Sequence, residues 1–134
     1  MSAQFEFLHE GKGVYIDCYG NLITEDLVKA YHEIYRQDTA LALHYHVIDL
    51  RDLESLEISA ENLLKLAEQD KRRLQSNTNL KIAFLTNHDV VRSVVFMWCG
   101  YIGLGEQHVK QFSNLEQAYG WLGFAIPTVV PEAP

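Results

Sequence analysis

The sequence predicts an α/β fold: a mostly parallel sheet with an antiparallel edge hairpin and flanking helices, in the order β-β-α-β-α-β-α-β-α. Three observations predict it. Two short apolar runs, Val47-Ile48-Asp49-Leu50 and Leu80 to Leu85, read as strands buried on both faces. Segments with apolar residues at helical spacing separate them, and strands separated by helices imply right-handed crossovers and parallel pairing. Two short strands joined through Gly11-Lys12-Gly13 add the antiparallel edge.

Phe5 to Leu8 and Val14 to Tyr19 form that first hairpin. In the second strand Val14, Ile16 and Cys18 alternate with Tyr15, Asp17 and Tyr19, the period of a strand with one strongly buried face. Thr24, ahead of Glu25 and Asp26, supplies an N-cap hydroxyl followed by carboxylates that suit the positive end of a helix. Leu27, Ala30, Tyr31, Ile34 and Leu41 continue at helical spacing, which predicts a helix from about residue 24 to 37 or beyond. Ser59 opens a second helix to about Gln75, with Leu63, Leu64, Ala67 and Leu74 inward. Glu61 with Lys65 and Glu68 with Arg72 are acid-before-base pairs on its surface. Lys71-Arg72-Arg73 falls in the last turn, where cations complement the dipole and solvent is expected to surround them.

Asn87 or Asp89 caps a third helix over about residues 88 to 103. Its valines lower helix propensity, but Val90 to Trp98 shows no strand alternation. Val109 to Phe112 reads as the last strand. Asn114 then caps a helix through Leu115, Ala118, Trp121 and Leu122 that Gly123 closes. The expected organisation is one domain over residues 1–124 and a tail over 125–134, where Pro127, Pro131 and Pro134 cannot continue a helix.

Composition excludes several classes. The 134 residues are 48% hydrophobic and 22% charged, as in an ordinary soluble globular domain. Eighteen acidic against eleven basic residues give a net charge of −7, which opposes nucleic acid or an anionic membrane surface as partner. No basic leader precedes an apolar core, and the longest apolar stretch, Val94 to Gly105, is too short to span a bilayer; a cytoplasmic protein is expected. Cys18 and Cys99 each lie in an apolar segment and read as buried thiols.

Gly20-Asn21-Leu22-Ile23-Thr24-Glu25-Asp26-Leu27, His46-Val47-Ile48-Asp49-Leu50-Arg51-Asp52 and Lys81-Ile82-Ala83-Phe84-Leu85 fall, in this order of elements, where similar segments fall in the STAS-like domains. The chain resembles that group, which includes anti-sigma factor antagonists and sulphate-transporter tails, and especially its bacterial stand-alone members, over about residues 5 to 123. The resemblance implies a non-catalytic module that binds other proteins. In anti-sigma antagonists an Asp-Ser-Ser-Gly type motif after the central strand carries a serine phosphorylated by a partner kinase. Here the stretch is Leu56-Glu57-Ile58-Ser59-Ala60-Glu61, so Ser59 alone matches that phosphoacceptor and Ala60 replaces the glycine. A phosphate on Ser59 would meet a helix N-terminus; a simple N-cap explains the same serine.

Ligands of open parallel sheets sit beyond the carboxyl ends of the strands. Two polar clusters are expected there: Asp49, Arg51 and Asp52 after one strand, and Thr86, Asn87, His88 and Asp89 after another. One reading is a small polar site, with His88 as base beside Asp49 or Asp89 in a hydrolase or lyase. The other is a set of turn and cap residues, with Arg51 paired locally. His44 and His46 have the spacing to share a strand face, but no third ligand is visible and they read as the lead-in to a strand; His32-Glu33-Ile34-Tyr35-Arg36 has arginine where a zinc-protease helix needs its second histidine. Gly103-Leu104-Gly105 lacks the third glycine and preceding strand of a dinucleotide fingerprint, and no serine has the flanking glycines of a nucleophile elbow. No catalytic residue, metal or cofactor is expected.

The third helix carries the main functional signal. Val91, Val94, Val95, Trp98 and Ile102 make a core stripe, while Phe96, Met97 and Tyr101 widen the apolar arc beyond one sheet face. Three occupants of the arc stay open: the core itself, helped by Trp121, Phe124 and the tail; a protein partner or a second subunit in a homodimer; or an apolar ligand or lipid in a pocket formed by Phe96, Met97, Trp98 and Tyr101.

Overall fold

The computed structural model describes residues 2–128. Its sheet has the strand order β1-β2-β3-β4-β5, with β1 at Ala3–Leu8, β2 at Gly13–Ile23, β3 at Tyr45–Glu57, β4 at Lys81–Leu85 and β5 at Val109–Phe112. β1 pairs antiparallel with β2, and the following pairs are parallel. Helices α1 (Thr24–Tyr35), α2 (Ala60–Ser76) and α3 (Asp89–Ile102) fill the crossovers, and α4 (Leu115–Leu122) follows β5. Because β2 to β5 step in one direction across the sheet, right-handed crossovers place α1, α2 and α3 on the same face. There they bury Ile16, Cys18, Ile48, Leu50, Ile82 and Phe84. On the opposite face α4 packs Ala118, Tyr119 and Leu122 over Tyr15, Tyr45, Val47, Ala83 and Leu85.

Covering both faces corrects the reading of β2 as buried on one side. Tyr15 and Asp17, the expected outward residues, are buried as fully as Val14 and Ile16. The hairpin turn lies one step earlier than expected, over residues 9–12, and His9 and Glu10 hold positive φ beside Gly11. Gly13 starts β2 instead, where a methyl group would overlap the Tyr45 ring.

Several boundaries also differ. Ile23, not Thr24, is the N-cap of α1, and the Asp26 carboxylate accepts its backbone N–H at 3.1 Å. The helix ends at Tyr35, and a 3-10 turn at Asp38–Ala42 turns Leu41 into solvent. α2 begins after Ser59 as expected, but Leu66 rather than Leu64 faces the core. Glu61 and Lys65 pair at 3.5 Å. His88 is the N-cap of α3 and makes no side-chain capping bond, so neither Asn87 nor Asp89 caps it. The endings of β5 and α4 match expectation: Asn114 accepts the Gln117 N–H at 2.9 Å, and Gly123 closes the helix at φ 82°. Of the expected tail, residues 125–128 border a hollow with Glu6, Leu8 and His9, and the remainder lies outside the described residues.

Candidate functional site

The inner face of α3 is filled. Val91, Val95, Trp98 and Ile102 recur at helical spacing and are buried against the sheet. The Trp98 ring stacks 4.8 Å from Phe84, and its indole N–H donates to Asp70 of α2 at 2.9 Å. Trp98 is therefore a core residue, and the structure separates it from Phe96, Met97 and Tyr101, with which the sequence grouped it.

Those three face outward with Val90. Phe96 is 71% exposed and Val90 75% exposed, with Met97 and Tyr101 partly so. Ser93 and Gly100, two turns apart, run along the middle of this face, and the bulky residues flank them. A Cβ built on Gly100 would have no neighbour within 4 Å. An exposed mid-helix glycine costs about 1 kcal/mol relative to alanine, and no contact among the described residues explains it. The charged pair on this face, Asp89 and Arg92, is joined at 3.0 Å and cancels. Neither the core nor Trp121 and Phe124 cover the surplus; these two pack with α4 on the opposite face of the sheet.

Beside Phe96 a groove of about 300 Å³ runs between α3 and β5, lined by Cys99, Gly100, Val109 and Gln111 among others. Cys99 is half-buried in its wall, and burial pushes its thiol up to about 11. Cys18 is buried, as expected.

The two polar clusters stand on neighbouring strands, with Asp49 opposite Leu85 in the β3–β4 register. Asp49, Arg51 and Asp52 lie within β3 rather than after it, because the strand runs on to Glu57. Asp49 is saturated: Arg51 grips it through Nε and Nη2 at 2.9 Å each, and the Tyr15 hydroxyl donates to it at 2.5 Å. Beside it in register lies Asp17 of β2. Burial and the neighbouring charges of Asp49 and Asp52 raise the Asp17 carboxyl to about 6. Thr86 is buried and donates to the Gln111 amide oxygen at 2.9 Å, whereas Asn87, His88 and Asp89 are exposed. Among the described residues no hydrogen bond joins His88 to Asp49 or Asp89, and His88 borders a hollow with Glu54 and Ser55 of β3. Among the described residues no group of histidine, cysteine or carboxylate side chains is arranged to hold a metal. His44 packs on Phe124, while His46 is buried with Nε2 bonded to the Tyr35 hydroxyl at 2.6 Å. Burial and the Arg73 charge push the His46 imidazole down to about 3, leaving it neutral.

Ser59 is exposed, and its hydroxyl accepts the Asn62 N–H at 3.1 Å, the geometry of an N-cap.

A buried network at the core of the helical layer was missed in the sequence. Asp70 of α2 is fully buried, bonded to Trp98 and, at 3.4 Å, to Arg73. The Arg73 guanidinium lies over the rings of Tyr35 and Tyr31 of α1, 4.2 and 4.8 Å from their centroids. This corrects the view of the basic triplet as a wholly solvated end. Burial lifts the Asp70 carboxyl to about 6, against the opposing pull of Arg73 and the Trp98 bond. The signal was present: Leu63, Ala67, Asp70 and Leu74 form one inward stripe, so an aspartate at that position needs a buried donor.

The architecture defines a SpoIIAA-like α/β fold, as expected from the STAS-like resemblance. No family model and no curated protein sequence matches the chain. Among solved structures it is similar to an uncharacterised Shewanella loihica protein of the DUF3478 family with a SpoIIAA-like fold, with a TM-score of 0.59 and 18% identity over 90% of this chain and 91% of that one. It is also similar to the anti-sigma factor antagonist SpoIIAA in its unphosphorylated form, with a TM-score of 0.60 and 16% identity over 86% and 91%. At these identities the likeness is one of fold. No helix of the described residues is long and apolar enough to cross a membrane.

Proposed function

We propose that the protein is a non-catalytic module that acts by binding another protein chain through the outward face of α3. The observation that carries this reading is the exposure of Val90, Phe96, Met97 and Tyr101 on a helix whose inner face is already filled. A contiguous apolar patch with its charges cancelled is the composition of an interface core. One structural neighbour is an anti-sigma factor antagonist, a function directed at proteins, which supports the same class of activity. Ser59, exposed at the start of α2, is the position where a phosphate would be favoured by the helix dipole and would regulate binding by adding charge.

The test is capture from native extract by the full chain and two variants. Phe96→Glu is expected to lose a captured protein that Leu64→Glu, altered at an exposed leucine on α2, retains. Identical capture by all three chains would overturn the role of α3. The groove of about 300 Å³ beside Phe96 favours a second reading, in which an apolar small molecule or lipid acyl group occupies it. Native mass spectrometry of freshly purified protein would then show bound mass that Gly100→Leu displaces.

A further inference from the structure

Resting on that reading, we infer that the chain which covers α3 is a second copy of the protein, packed antiparallel about a two-fold axis midway between Ser93 and Gly100. A two-fold interface must be self-complementary, and the pattern of α3 meets that condition. With the axis there, Ser93 of each copy lies opposite the partner's Gly100, so the two smallest residues of the face pack together about 5 Å along the helix on either side of the point where the helices come closest. Phe96 on one side of the axis and Met97 on the other each meet their own mate, and Val90 meets the partner's Tyr101. The four exposed apolar side chains are then covered together, and the glycine, whose Cβ would meet nothing within 4 Å in one copy, faces the partner's Ser93 beside the point of closest approach. Charge agrees. Each copy carries −7, and α3 presents a face whose only charged residues, Asp89 and Arg92, are already paired, so two copies approach there against the least repulsion.

One helix face is smaller than the roughly 800 Å² per partner of a standard interface, so the dimer is weak and concentration-dependent. Its repulsion is screened by salt, so association strengthens at higher ionic strength. Sedimentation equilibrium of the full chain is expected to show dimer at about 500 µM and monomer at a few µM, with Met97→Glu monomeric throughout and unchanged in circular dichroism. The register is tested by cysteine pairs in a Cys99→Ala background. Ser93→Cys with Gly100→Cys together are expected to form a covalent dimer on mild oxidation. Either cysteine alone does not, because its mate stands about 10 Å away along the axis. A strict monomer at the highest concentration overturns the inference. So does a dimer that survives Met97→Glu, or one that leaves the double variant uncrosslinked. If the chain is monomeric yet loses a captured protein in Phe96→Glu, the second copy is refuted while the interaction reading stands; a monomer whose capture ignores Phe96 refutes both.

Discussion

Replacing Asp70 by asparagine should reverse the sign of its effect on stability between acid and neutral pH. The carboxyl, ordinarily near 3.8, is raised to about 6 chiefly by burial. The folded protein therefore holds the proton more tightly than the unfolded chain. Stability from this group is full below about pH 4 and is lost as pH rises through about 6, a loss of about 3 kcal/mol at neutral pH. Asparagine keeps an oxygen to accept the Trp98 N–H but has no charge to desolvate. It gives up the bond to Arg73, which is long at 3.4 Å; that costs ~1 kcal/mol. The variant is then more stable than the parent by about 2 kcal/mol at pH 7, level with it near pH 4.5 and less stable by ~1 kcal/mol near pH 3. Urea unfolding followed by far-UV circular dichroism reads this as a midpoint about 1 M higher at pH 7 and lower in acid. Asp17, also raised to about 6, acts in the same direction, so the parent's gain on acidification is roughly halved in the variant, not abolished. Parallel stability curves for parent and Asp70→Asn across that range would refute the argument.

Gly13→Ala places a methyl group in the Tyr45 ring and should cost about 3 kcal/mol, with at least half recovered by adding Tyr45→Leu in a double-mutant cycle. Ser59→Ala should lose ~1 kcal/mol with its cap, read as a Tm lower by a few degrees, while Ser59→Asp, which can still cap, stays near the parent. Tyr15→Phe removes a buried donor from Asp49 and should cost about 1–2 kcal/mol in urea unfolding at pH 7. Phe96→Ser, at a side chain largely in solvent, should change stability by less than about 0.5 kcal/mol; a larger loss would mean that Phe96 belongs to the core.

The sequence was most legible where a local rule acts alone. Asn114 and Gly123 bound α4 because a cap and a left-handed closing glycine need no tertiary context. β3 was read seven residues short at its carboxyl end for a physical reason. Beyond Leu50 its buried leucine is Leu53 and its next apolar residue is Leu56, a spacing of three rather than two. Register shifts in the pairing with β2, after Asp17 and after Gly20, break the alternation that identifies a strand. That misreading set Arg51 and Asp52 beyond the end of the strand, whereas they lie within it. The surplus on α3 was legible, since Phe96, Met97 and Tyr101 lie off the stripe of Val91, Val95, Trp98 and Ile102. Trp98 was placed in both groups because its bulk suits a pocket as well as a core, and only the position of Asp70 decides between them.

That decision bears on how the outward face can act. A loosely held helix with exposed apolar residues would roll to bury them, exchanging one stripe for another. α3 cannot, because rolling would pull the Trp98 N–H from the Asp70 carboxylate and its ring from Phe84, stranding a buried carboxyl without its donor. Asp70 is held in turn by its place on α2, and Arg73 ties that helix to α1 through Tyr31 and Tyr35. The polar network inside the helical layer therefore fixes the rotation of α3 about its axis. Val90, Phe96, Met97 and Tyr101 are presented as a rigid surface rather than a fluctuating one, which spares a partner the entropy of ordering them. Weakening Trp98 and altering Phe96 should thus affect binding differently. Trp98→Phe, which keeps the bulk but loses the N–H, should lower stability by about 1–3 kcal/mol and weaken association because the helix is freed to turn. Phe96→Ser should weaken association with stability unchanged. Equal loss of binding with no loss of stability in Trp98→Phe would show that the network does not set the surface.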